Sequence, residues 1–343
     1  MAVISAGIDA GTYTFEIFVL EGDRPLLKRT LLTSEVKRNP EIVLKALKEI
    51  NPDVIAGISG YGLPVKRFSE LSDMDISLMT LNFDETVMGV RKLIELIKKS
   101  ELGEVTWTIP GIIHLPTIPE YRKINRIDMG TSDKLCSVAL AVYELAMNGI
   151  SHDKQNFVLV EAGYGFNAFI AVKGGRIVDG IGGSSGFPAF SSLGTLDGEL
   201  AYLLQNFPKS LLFSGGIKSL LRDKGYKIDK LKDLPDFAVK WLCEFIIKGI
   251  RAVGVSLDNY TVIVSGRFFD LFYDEFLEFS GVKAVKLRGF GFAKRSAEGA
   301  AIIANGLAGG RFKEIVDWLK IREAKGTVLD YITSDVRRFL NIR

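Results

Sequence analysis

Two stretches in different halves of the chain carry the same short pattern, and this duplication restricts the possible folds more than any other feature. Ile8-Asp9-Ala10-Gly11 aligns with Val160-Glu161-Ala162-Gly163, and after runs of equal length Gly22 aligns with Gly174. The hydrophobic pattern around each copy repeats as well. In the first copy it predicts strands over 3–9, 13–20 and 26–33, helices over 40–50, 84–99 and 131–147, and strands over 53–58 and 105–109. In the second it predicts strands over 157–161, 166–172 and 176–181, helices over 237–253 and 294–304, and strands over 260–265 and 282–287. Three strands followed by alternation, present twice, call for two related α/β domains. The expected division is 1–150 and 151–307, with 308–343 completing the first domain.

A chain of 343 residues is long enough for two such cores. Hydrophobic residues make up 47% and charged residues 25%, the balance of a globular protein. The net charge of +3 is spread without a dense basic block, which argues against a dedicated nucleic-acid binder. No uncharged apolar run is long enough to span a bilayer, and the first residues read directly into a strand rather than a leader. Cys136 and Cys243 form no CxxC pair, and His114 and His152 are the only histidines. This argues against a zinc site, a disulfide framework or a histidine triad, and fits a reducing cytoplasm.

The glycine turns suggest chemistry. In the first, Gly11 lets a ligand approach the backbone, the amides of residues 11–13 can face phosphate oxygens, and Thr12 and Thr14 add hydroxyl donors. Asp9 ends the preceding strand, where a carboxylate can hold Mg²⁺ through water. In the second, Gly163 and Gly165 give the same access and Asn167 adds an amide donor. The apolar run 262–264 leads into Ser265-Gly266-Arg267, a strand end on which an adenosine can lie flat; Ser214-Gly215-Gly216 is a rival for that role. Each segment can equally be an ordinary turn. Ala297-Glu298-Gly299-Ala300-Ala301 is a small-residue helix segment suited to close packing, either across an interdomain seam or within a core.

In order along the chain, these motifs resemble the superfamily of acetate and sugar kinases, Hsp70 and actin, and within it the butyrate and acetate kinases. Gly174-Gly175-Arg176-Ile177-Val178-Asp179, Gly186-Phe187-Pro188 and Gly194-Thr195-Leu196 resemble turns of those kinases. So do Ser59-Gly60-Tyr61-Gly62-Leu63 and the stretch Ile118-Pro119-Glu120-Tyr121-Arg122-Lys123 with Lys134. The whole chain also resembles an archaeal family of proteins described as predicted butyrate kinases. The resemblance implies two ribonuclease H-like, actin-like ATPase domains in tandem, a nucleotide cleft between them, ATP with Mg²⁺, and a homodimer. Butyrate kinases carry Asn where Asp9 stands, His where Glu161 stands and Arg where Ser59 stands. They also carry His in the region filled here by Asp128-Met129-Gly130-Thr131-Ser132-Asp133.

Three functions follow as expectations. A carboxylate kinase needs no general base, only a cation to screen the acceptor from the γ-phosphate. Arg122 is the first candidate, with Arg126 or Lys134 behind it, while Arg91 is expected on a solvated helix face. A sugar or other alcohol kinase needs a carboxylate base, for which Asp128 or Glu161 is suited. The third function is an ATP-binding switch. Asp9, Arg122, Asp128 and Glu161 are thus the candidate catalytic residues.

Overall fold

Each copy of the sequence pattern folds into a five-stranded sheet, and the two sheets share one strand order. The computed structural model describes residues 2–11, 13–82, 90–227, 233–266 and 268–340. The first sheet contains β1 (Ile4–Ala10), β2 (Thr14–Glu21), β3 (Arg24–Leu32), β4 (Val54–Gly57) and β5 (Thr106–Trp107), ordered β3-β2-β1-β4-β5. The second contains β6 (Phe157–Ala162), β7 (Asn167–Lys173), β8 (Arg176–Ile181), β9 (Thr261–Ser265) and β10 (Ala284–Lys286), ordered β10-β9-β6-β7-β8. In both, the first strand is central, with an antiparallel hairpin partner on one side and a parallel neighbour on the other.

The register makes the equivalence residue-specific. Ala10 faces Phe15 and Ala162 faces Asn167, so the hairpins enclose residues 11–14 and 163–166. The Gly11 amide donates to the Thr14 carbonyl at 3.2 Å, and the Gly163 amide to the Phe166 carbonyl at 3.0 Å. The following turns use Gly22 and Gly174 at φ +62° and +55°, a region that favours glycine.

Burial follows strand position. β1 and β6 are central and almost wholly buried, whereas the edge strand β3 is largely exposed. The chain divides into two compact units: Met1–Gln155 with Gly174–Ile177 and Arg288–Arg343, and Asn156–Lys173 with Val178–Leu287. The return to the first unit therefore falls at Arg288, ahead of the 308 expected from sequence. The reason is the helix Arg295–Leu307, which lies directly on β1. A Cβ on Gly7 would come 2.1 Å from the Ala297 carbonyl oxygen. The same helix crosses the helix Ser132–Met147 at Gly299, where a Cβ would come 1.8 Å from the Cys136 carbonyl oxygen.

The second unit packs β6, β7 and β9 against the helix Asp236–Gly254 through Val160, Phe169, Leu242 and Ile246. Part of the helix expected over 84–99 lies outside the described residues; the described part is Val90–Lys98. Arg91 is not on a solvated face of it. It is buried and donates to Ser77 Oγ, the Asn82 carbonyl and Glu95, so its charge is satisfied inside the fold. Cys136 and Cys243 are buried free thiols. Among the described residues no helix is long and apolar enough to cross a membrane.

Candidate functional site

In the first unit the β1–β2 hairpin holds a compact charged cluster. Asp9 and Glu16 stand opposite each other across the strand pair. Lys294, just before the helix Arg295–Leu307, is gripped by both. Its ammonium lies 2.8 Å from Asp9 Oδ2 and donates to the Thr14 carbonyl at 2.5 Å, while its backbone amide donates to Glu16 Oε2 at 2.8 Å. Ser296 Oγ donates to Asp9 Oδ1 at 2.8 Å. Glu16 is 1% exposed, and such burial of a charge is tolerated only with partners of this kind. The Lys294 side chain keeps 21% of its surface exposed. An ammonium has three N–H donors; Asp9 and Thr14 use two among the described residues, leaving one for a ligand.

Two carboxylates, one of them fully buried, fix the loop that delivers Lys294. Glu298, fully buried, accepts the amides of Phe290, Phe292 and Ala293 at 3.0, 2.8 and 2.8 Å. Burial raises its pKa, and these amides together with Arg295 work in the other direction. Glu144 accepts the amides of Arg288 and Gly289 at 2.9 and 2.6 Å.

Gly11 meets the first expectation only in part. Its amide closes the hairpin instead of facing outward, so the backbone donor expected there is already used. A Cβ at Gly11 would lie 2.2 Å from Lys294 Nζ, so glycine keeps that approach open. Thr12 lies outside the described residues. Thr14 contributes its carbonyl to Lys294.

The second unit brings Glu161, Gly163, Gly165, Asn167, Ser265 and Gly266 to one end of its sheet. Glu161 pairs with Ser265 in the parallel ladder, and a Cβ on Gly266, at φ +122°, would lie 2.1 Å from the Ala162 carbonyl oxygen. The hairpin tip is braced rather than open: the Ser191 and Ser192 amides donate to the Tyr164 and Gly165 carbonyls at 3.2 Å each. Lys218 Nζ donates to the Tyr164 hydroxyl at 2.9 Å. Asn167 is buried, and its amide donates to the Pro188 carbonyl at 3.3 Å, a use that the sequence does not reveal. Arg267 lies outside the described residues. The rival Ser214-Gly215-Gly216 is bridged to Ser192, in the layer that braces the hairpin.

Arg122 and Asp128 belong to the first unit but are not the partners of Asp9. Arg122 sits on the short helix Glu120–Lys123, its guanidinium 5.6 Å over the Tyr121 ring. Its neighbour Lys123 is buried and donates to the Leu115 carbonyl and the Tyr331 hydroxyl, a structural role. Asp128 is buried and accepts the Gly130 amide at 3.1 Å. The loop after it meets the loop after β4, the Ser132 amide donating to the Gly60 carbonyl at 2.9 Å. Ser59 is buried and joins the Gly57 carbonyl to the Ile109 amide. Lys134 pairs with Asp133, whose carboxyl it holds below the usual range against the effect of burial.

The donor set fits a phosphate better than a metal. Each Asp9 oxygen already accepts a hydrogen bond from the protein, and Glu16 is spent on a backbone amide. Among the described residues no group of three or more His, Cys, Asp or Glu could hold a metal ion. The sequence reading missed Glu16, Lys294 and Ser296. Asp9 and Glu16 share a face of the hairpin by strand alternation, a signal that was available. Lys294 and Ser296 arrive from far along the chain, and no spacing rule connects them to Asp9.

The two sheets of shared strand order give a two-domain α/β fold of the kind seen in an acetate kinase. The chain belongs to the family described as "Protein of unknown function (DUF1464)", whose model matches residues 7–334. Among solved structures it is similar to the acetate kinase of Entamoeba histolytica, with a TM-score of 0.52 and 12% identity over 78% of this chain and 85% of that one. It is also similar to a ROK hexokinase from Thermus thermophilus, with a TM-score of 0.48 and 15% identity over 87% and 96%. A ROK family glucokinase from Streptomyces griseus, solved with glucose and AMPPNP, gives a TM-score of 0.46 and 14% identity over 88% and 99%. No curated protein sequence matches the chain.

Proposed function

We propose that this protein is an ATP-dependent phosphotransferase for a small acceptor, in the first place a short-chain carboxylate such as butyrate. The observation that carries the reading is the Lys294 ammonium, held by Asp9 and Thr14 beside the β1–β2 hairpin with one donor unused among the described residues. Phosphoryl transfer asks mainly for positioned positive charge. A carboxylate acceptor is ionised at neutral pH and needs no base, and Arg122 is its proposed clamp. The Gly163–Gly165 turn and Ser265-Gly266 are the proposed seats of nucleotide phosphates and adenosine.

Incubation with MgATP, butyrate and hydroxylamine should yield hydroxamate, the trapped form of an acyl phosphate. Acceptor-dependent ADP release without hydroxamate would reject the carboxylate. Arg122→Ala should lower turnover far more than ATP affinity, and equal loss of both would remove Arg122 as clamp. A second reading, an alcohol or sugar kinase, is favoured by Asp128, a buried carboxylate of the type that can accept a hydroxyl proton. Under it, sugars release ADP and Asp128→Asn abolishes that release. ATP binding without turnover on any acceptor would leave the switch function.

A further inference from the structure

We infer that Lys294 is the built-in cation of the phosphate site, and that Asp9 serves to anchor it rather than to pair with a divalent metal. The inference rests on the ATP-dependent reading above and specifies how one end of its site is built. Asp9 is the carboxylate that the sequence offers for Mg²⁺. In the fold its Oδ2 faces the Lys294 ammonium at 2.8 Å and its Oδ1 accepts from Ser296 at 2.8 Å. The ammonium thus occupies one lone pair of Oδ2 and already supplies the neutralising charge beside it.

Several groups hold the lysine there. Glu16 fixes its backbone amide, the Thr14 carbonyl takes a second ammonium proton, and Glu298 with Glu144 grips the five backbone amides of the loop leading to it. A lysine held at both ends loses little further freedom when it meets an anion, so its remaining N–H suits a phosphate oxygen. Gly11 is part of the same device, because a side chain there would displace the ammonium.

The test is calorimetric titration of ATP, with Mg²⁺ and with EDTA, into wild type, Lys294→Met and Lys294→Arg. In EDTA, Lys294→Met should bind ATP about 10- to 100-fold more weakly than wild type, the range for one hydrogen bond from a charged donor. Lys294→Arg should recover part of the loss. If Lys294→Met fails to fold because Asp9 is left buried and unpaired, the double variant Asp9→Asn/Lys294→Met removes both charges and should show the same weak binding. ATP affinity equal to wild type in a folded lysine variant overturns the inference, as does wild-type binding that vanishes in EDTA. A second arm uses Mn²⁺ resonance on the nucleotide-free protein. Wild type and Asp9→Asn should leave the same amount of Mn²⁺ free, and metal held by wild type but released by Asp9→Asn overturns the inference. If wild type binds no ATP under either condition, the proposed function falls too; if it binds and Lys294→Met is indifferent, only this inference falls.

Discussion

Gly11 and Gly163 occupy the same place in two matched hairpins, yet an added methyl group would meet different surroundings. At Gly163 the nearest atom would be the Phe166 carbonyl oxygen at 3.1 Å, so the hairpin backbone would have to give by a few tenths of an ångström, against more than an ångström for the Gly266 contact. Gly163→Val should therefore leave the fold intact while closing the space proposed for phosphate. Unchanged ATP affinity in a folded Gly163→Val protein would count against that placement. Gly266 has no such latitude, since its left-handed φ and the Ala162 carbonyl both exclude a side chain. Gly266→Ala should cost about 2 kcal/mol or more in chemical denaturation. His114 gives a pH signature. It is buried, its Nδ1 lies 3.2 Å from the Gly111 carbonyl, its Nε2 has no hydrogen-bond partner among the described residues, and burial lowers its pKa from 6.5 to about 4. Between these values the unfolded chain binds a proton that the native state refuses, so stability falls as pH falls from 6.5 towards 4. The loss approaches about 3 kcal/mol, and His114→Gln should flatten that slope in urea titrations run across the window.

At the scale of elements, the crossing between Arg295–Leu307 and Ser132–Met147 depends on one missing side chain. Gly299→Ala would drive a methyl group into the Cys136 backbone, which cannot yield without separating the helices. The expected cost is about 1–3 kcal/mol, read as a lower denaturation midpoint with the m-value unchanged. Glu298→Ala, at the adjacent position, acts by a different route, leaving the Phe290, Phe292 and Ala293 amides without their acceptor. It should destabilise by about 2–4 kcal/mol and also weaken ATP binding, because the loop that delivers Lys294 loses its anchor. Loss of stability with ATP affinity retained would show that this loop does not position the lysine.

At the scale of the whole molecule, duplication explains why one short hairpin motif serves in two places. A sheet with a central strand, an antiparallel partner and a parallel neighbour brings the turn after that strand to the sheet end where the parallel strands also finish. Ligands of open α/β sheets gather at such ends. The proposal that ATP is the co-substrate has a simple global readout. ATP at 100 times its dissociation constant should add about 2.7 kcal/mol to the stability of the state that binds it. The melting temperature should then rise by a few degrees, and no rise at millimolar ATP would oppose the proposal.

The strands and the duplication were legible in the sequence because they depend on local periodicity. Alternation, apolar runs and the glycines at 22 and 174 report backbone geometry within a few residues. The same locality made Asp9 and the two glycine turns visible as candidates. The use of those residues was a different matter. That Asp9 is spent on Lys294 and Ser296, that Asn167 holds Pro188, and that Arg91 is buried among Ser77, Asn82 and Glu95 all depend on partners from other elements. The sequence by itself determined which backbones form and where their turns lie. Only the tertiary structure decided which charges meet, because a side chain's partner is set by packing across the fold and not by its neighbours along the chain.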